Sequence, residues 1–114
     1  MSLERVIKTL EGFGLSRVES EVYVYLAKSG PTKAKDLSSQ LGITKQHLFA
    51  TLSSLRKTGI VAKKSEHESL FFALAFEELL DLLLKLNTEK VKTIKETKKE
   101  LINSWRNMTE QNNS

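Results

Sequence analysis

No cysteine occurs in the 114 residues, so neither a disulfide framework nor a thiolate metal site can form, and the composition fits a reducing interior. Long apolar runs are missing as well. The start, MSLERVIKTLEG, has no continuous apolar stretch for a secretory signal, and the longest apolar cluster, LLDLLLKL from Leu79, is interrupted by Asp81 and Lys85. A membrane span is therefore not expected, and a cytoplasmic protein is. A glycine-rich phosphate loop and a convincing set of acid, base and nucleophile are also lacking, so neither enzymatic activity nor a cofactor is expected. His47 and His67 have no second histidine or carboxylate at ligand spacing, which argues against a metal site. With a single proline and five glycines, few positions break a helix. The 39% of hydrophobic residues suffices for one small core, so the expectation is one domain with an appendage.

Acids are scarce in one part of the chain. Residues 31–64 carry seven bases against one acid, a local charge of +6, although the whole chain carries only +4. A basic third inside a nearly balanced chain points to a phosphate-binding face better than a uniformly basic surface would. A solvated lysine-rich surface is the competing reading.

Periodicity supplies the elements. Leu3, Val6, Ile7 and Leu10 form one apolar stripe of a first helix ending near Gly12 and Gly14. Ser16 with Glu19 three residues on is a capping box, opening a second helix lined by Val18, Val22, Tyr25 and Leu26 and stopped at Gly30-Pro31. Thr32 is expected to cap a short third helix carrying Ala34, Leu37 and Leu41, closed by a left-handed Gly42, with Ile43 anchoring the turn to the core. Thr44 caps a fourth helix, residues 44–58, whose Leu48, Leu52 and Leu55 recur at four and three residues until Gly59.

Beyond Gly59 the period changes. Ile60-Val61-Ala62 and Leu70-Phe71-Phe72-Ala73-Leu74 are short β-prone runs flanking KKSEHES, and pairing them as a hairpin is simplest. From Phe76 a helical period resumes and runs to about Met108, roughly 30 residues, with a break near Asn87-Thr88 left open. Phe71, Phe72 and Tyr25 are read as core, and the last residues as having nothing to bury. The fold class is thus mainly α, an α+β winged helix-turn-helix with a long C-terminal dimerisation helix. The expected divisions are 1–76 for the winged domain, 77–108 for the long, coiled-coil-like helix and 109–114 for a disordered tail.

This order of parts suits DNA. The major groove, roughly 12 Å wide, admits one α-helix. Burying Leu48, Leu52 and Leu55 turns Gln46, Ala50, Ser53 and Lys57 outward, and the N-terminal residues of such a helix enter the groove most deeply. The expected base-reading group is Lys45, Gln46, His47, Ala50 and Ser54: Gln46 can bond adenine in bidentate fashion, Lys45 can donate to guanine, and Ala50 can meet a thymine methyl. Phe49 is divided between a prop beside the core and a groove or backbone contact. Backbone contacts are assigned to Thr32, Lys33 and Lys35 at the third helix's start, to Thr44 and Lys57, and to Lys63 and Lys64 on the wing. Glu66 and Glu68 dilute the wing's charge. For each of these residues the bland reading is a solvated side chain.

Leu80, Leu84, Asn87, Val91, Ile94, Lys98, Leu101, Trp105 and Met108 alternate spacings of four and three, a heptad seam with two polar members. Roughly 30 helical residues span about 45 Å, more than a small domain can cover, so a homodimer is expected. Twofold symmetry would set two reading helices about one DNA turn or a multiple apart, on a pseudo-palindromic operator.

The run FGLSRVESEVYVYLAKSGPTKAKDLSSQLGITKQHLFATLSSLRKTGIV resembles the N-terminal domain of TrmB-family transcriptional regulators, over about residues 5–85. The resemblance implies a winged helix-turn-helix on double-stranded DNA, sharing its scaffold with the more distant MarR and ArsR regulators. The wing departs from the family in carrying Leu70 and Phe72 where basic residues and prolines are frequent. Full-length members add a C-terminal sugar-binding domain. No small-molecule effector domain is evident in these residues, so the implied regulator is ligand-independent or partner-controlled. The alternative is a winged-helix protein–protein interaction module in a transcription or chromosome complex.

Overall fold

Local side-chain chemistry sets where the helices begin. The computed structural model describes residues 2–65 and 67–110. Helix α1 (Leu3–Gly12) starts at Ser2, whose hydroxyl accepts from the Arg5 amide. Helix α2 (Arg17–Ser29) opens on the expected capping box: the Glu19 amide donates to Ser16 Oγ at 3.0 Å and the Ser16 amide to Glu19 Oε1 at 2.8 Å. Strand β1 (Thr32–Lys33) and helix α3 (Ala34–Leu41) follow, then α4 (Lys45–Lys57), β2 (Val61–Ser65), β3 (Glu68–Ala73) and α5 (Phe76–Glu110). The chain divides into two compact units, Met1–Asp81 and Leu82–Ser114.

The core of the first unit draws on every helix and on two of the three strands: Ile7 and Leu10 from α1, Val22, Tyr23 and Leu26 from α2, Leu37 from α3, Leu48, Leu52 and Leu55 from α4, Val61 from β2, Phe71 from β3, and Leu79 from the start of α5. Between α3 and α4 the chain reverses through Gly42, at φ 64° and ψ 33°, a left-handed geometry that glycine adopts without steric cost. The amide of half-buried Ile43 donates to the Ser38 carbonyl, and Ser38 Oγ donates to the Ile43 carbonyl at 2.6 Å, so one serine fastens both ends of the turn.

The strands form one antiparallel sheet in the order β1-β3-β2. This corrects the reading of Thr32 as a helix cap. Thr32 lies opposite Phe71 and Lys33 opposite Leu70, the Thr32 hydroxyl donates to the Gly30 carbonyl, and α3 begins from Lys33 without a side-chain cap. The hairpin therefore gains a third strand, and it reaches into the polar stretch, with Lys63 opposite Phe71 and an irregularity between Lys63 and Ser65. Glu66 lies outside the described residues.

Two of the three aromatic residues expected in the core, Tyr25 and Phe72, are not enclosed there. Tyr23 is fully buried while Tyr25 is only half-buried, and Phe72 stands on the open face of the sheet, 40% exposed, while Phe71 is buried. The Tyr23 hydroxyl donates to the Leu74 carbonyl at 2.7 Å, tying α2 to the end of the wing. Burial pushes its phenol above the usual tyrosine range, which keeps it a donor.

Helix α5 runs without interruption from Phe76 to Glu110, so no break falls at Asn87-Thr88, and Thr109 and Glu110 are helical rather than part of a tail. The remainder of the expected tail, residues 111–114, lies outside the described residues.

Candidate nucleic-acid interface

Helix α4 is fixed by what it buries. Leu48, Leu52 and Leu55 are within 1% of complete burial, and Thr51 beside them satisfies its buried hydroxyl by donating to the His47 carbonyl at 2.9 Å. With that face committed, Lys45, Gln46, His47, Phe49, Ala50, Ser53 and Lys57 are exposed. The N-cap is Thr44, whose hydroxyl accepts from the His47 amide at 3.2 Å. The first turn thus brings Lys45, Gln46 and His47 together with no acid among them, and the helix dipole there adds partial positive charge. Arg56 and Lys57 occupy the last turn, where they complement the opposite end of that dipole.

Ser54 is engaged elsewhere. Its hydroxyl donates to Glu19 Oε2 at 2.9 Å, which turns it toward α2. Glu19 therefore serves twice, closing the capping box with one oxygen and holding α4 with the other. Periodicity within one helix gives no sign of this link, because its partners stand 35 positions apart. Ser38, Thr51 and Tyr23 are likewise positioning residues that the apolar pattern passes over, since each acts through a hydroxyl bound to a carbonyl.

The backbone candidates are spread over three elements. Lys33 and Lys35 are exposed around the start of α3, with Asp36 beside them, and Thr32 is half-buried in the sheet. On the wing, Lys64 is exposed, whereas Lys63 sits half-buried opposite Phe71. Among the described residues an ion-pair cluster forms around Arg17, which binds Glu4 through both terminal nitrogens, at 2.6 and 2.9 Å, and Glu21 through Nε at 2.8 Å. Its guanidinium hydrogen bond holds the Glu4 carboxyl below its usual range. This network ties α1 to α2.

In the second unit α5 presents a row of apolar side chains to solvent. Leu84, Val91, Ile94, Leu101, Trp105 and Met108 are each more than half exposed, Trp105 at 64%. Asn87 and Lys98 interrupt the row, and Asn87 Nδ2 donates to the Leu83 carbonyl. Leu80, the first residue of the expected seam, belongs to the first unit and is half-buried. Among the described residues no helix is long and apolar enough to cross a membrane.

Comparison with known proteins adds the family context. A family model described as the sugar-specific transcriptional regulator TrmB matches residues 10–77. The HTH-type sugar sensing transcriptional regulator TrmBL1 of Pyrococcus furiosus is 40% identical over 58 residues, which are 51% of this chain and 17% of that protein. The chain thus spans about a sixth of the length of that relative. Among solved structures, TrmBL2, an archaeal chromatin protein described as showing a novel mode of DNA binding, superposes with a TM-score of 0.76 at 22% identity, over 96% of this chain and 43% of that one. A possible transcriptional regulator from Methanosarcina mazei matches at a TM-score of 0.60 and 13% identity, over 88% of both chains. At these identities the two structures establish the shared fold.

Proposed function

This chain belongs to the TrmB family of DNA-binding winged-helix transcriptional regulators, and from that premise we propose that it binds double-stranded DNA sequence-specifically as a homodimer, with α4 in the major groove. The observation that carries the reading is the division of α4 into a face of completely buried leucines and an exposed, acid-free first turn. A helix pinned in this way can enter a groove without rearranging its own core. Lys45, Gln46, His47 and Ala50 read base edges, and Lys33, Lys35, Lys57 and Lys64 meet phosphates. Thr32, Thr44, Ser54 and Lys63 support that surface from positions already committed to other contacts. The role of TrmBL2 as a chromatin protein supports DNA as the partner and the chromosome as the place of action. The exposed row on α5 supplies the dimer seam, and the twofold relation calls for a pseudo-palindromic site.

Duplexes selected from a random pool, followed by fluorescence polarisation, test the reading. Gln46→Ala is expected to relax base preference by about 1–3 kcal/mol. Lys57→Ala is expected to weaken all duplexes alike and reduce the salt slope by about one unit. Unchanged selectivity in Gln46→Ala and Lys45→Ala would remove the base-reading assignment. Salt-insensitive association with a protein and none with DNA would replace it by the interaction-module reading.

A further inference from the structure

The seam on α5 carries information about the direction in which a second copy lies on it. Between Leu84 and Leu101 the heptad places Leu84, Val91 and Lys98 at one core position and Asn87, Ile94 and Leu101 at the other. The positions flanking that core are Thr88 and Lys95 on one side and Lys90 and Thr97 on the other. Every acid of this stretch, Glu89, Glu96 and Glu100, falls on the outer surface of the helix. The contact strip is therefore mainly apolar, with Asn87 and Lys98 as its polar members, and has basic borders.

In a parallel pair each core residue meets its own copy. Lys98 would stack on Lys98, and Lys90 would face Lys95 of the second copy on both borders, so three lysines from each chain would converge with no carboxylate among them. Reversing one helix removes these clashes together. With Val91 opposite Ile94, Leu84 falls opposite Leu101 and Asn87 opposite Lys98, while Lys90 lies beside Thr97 and Lys95 beside Thr88. Each apolar core residue then meets an apolar one, and the two polar residues meet each other, an amide opposite an ammonium. A slide of one heptad in either direction sets Asn87 against Val91 or Trp105, leaving an amide against an apolar side chain.

We propose that a second copy of this chain packs antiparallel on α5, with Val91 and Ile94 crossing at the twofold axis and the Asn87–Lys98 pair fixing the register. The proposal rests on the homodimer reading above and adds orientation and register to it. Complementarity of charge and polarity along the strip selects the occupant.

The absence of cysteine makes a direct test available in the full chain. Leu84→Cys and Leu101→Cys are prepared separately, given distinct mass tags, and oxidised alone or after mixing and exchange. In the antiparallel register, position 84 lies about 25 Å along the axis from its own copy, beyond disulfide reach. The mixture is expected to give a dimer joined 84 to 101, and neither variant alone to give any. Thr88→Cys with Lys95→Cys, joined by a short bis-maleimide, repeats the test with the apolar row intact. Leu84→Cys and Leu101→Cys each joining to its own kind, or a dimer by light scattering that joins in neither mixture, overturns the antiparallel register while sparing the dimer. A monomer by light scattering at micromolar concentration overturns the dimer itself.

Discussion

The two units differ in where most of their large apolar side chains lie, although Leu83 of the second is buried. In residues 1–81, leucines from five helices, with Tyr23, Val61 and Phe71, are buried. In the second unit, Leu84, Val91, Ile94, Leu101, Trp105 and Met108 stand more than half exposed along one helix. The first arrangement closes on itself, so its stability is unimolecular. The second leaves an exposed apolar row, interrupted by Asn87 and Lys98, of the kind that marks an association surface, and any stability drawn from covering it depends on protein concentration.

The contrast is broken most severely from inside the first unit. Leu52, 1% exposed at the centre of α4, has its side chain enclosed, and Leu52→Ala is expected to cost about 2–5 kcal/mol and to lower the thermal midpoint at any protein concentration. Leu101→Asp is the counterpart in the second unit. It is expected to change the stability of the isolated chain by no more than about 0.5 kcal/mol and to weaken self-association at least roughly tenfold by sedimentation equilibrium. An equal effect of both variants on a dilute sample would erase the distinction.

A hydrogen bond that closes the first unit gives a smaller signal. Tyr23→Phe deletes the donor to the Leu74 carbonyl, and chemical denaturation is expected to report a loss of about 0.5–1.5 kcal/mol. The smallest effect belongs to the exposed Arg17–Glu4 pair. Because the folded Glu4 pKa is depressed, its contribution is present above the unfolded value and disappears as pH falls through the folded one. The difference in melting temperature between the native chain and Glu4→Gln should thus be slight at neutral pH and vanish in acid.

Much of the first unit was legible because its signals are local. The Ser16–Glu19 box, the left-handed Gly42, the Thr44 cap and the leucine spacing of α4 all act within a turn or two of the residues that encode them. Thr32 was misread because a threonine before an apolar helical pattern also suits a cap, and its actual pairing with Phe71 is a contact at long range in sequence. Tyr23 and Tyr25 both fit a helical stripe, and only the position of the wing exit decides which is enclosed. The candidate reading face followed from α4 alone, while Ser54 did not, because its hydroxyl answers to Glu19 on another helix.

That carboxylate has a consequence for how such a protein can change. Glu19 starts α2 with one oxygen and holds Ser54 of α4 with the other. The tilt of the helix proposed to meet DNA is therefore coupled to a residue on another helix. Substitution at position 19 would retune how that helix is presented while every side chain of the proposed reading face stays the same, giving natural variation a steering point separate from the alphabet it steers.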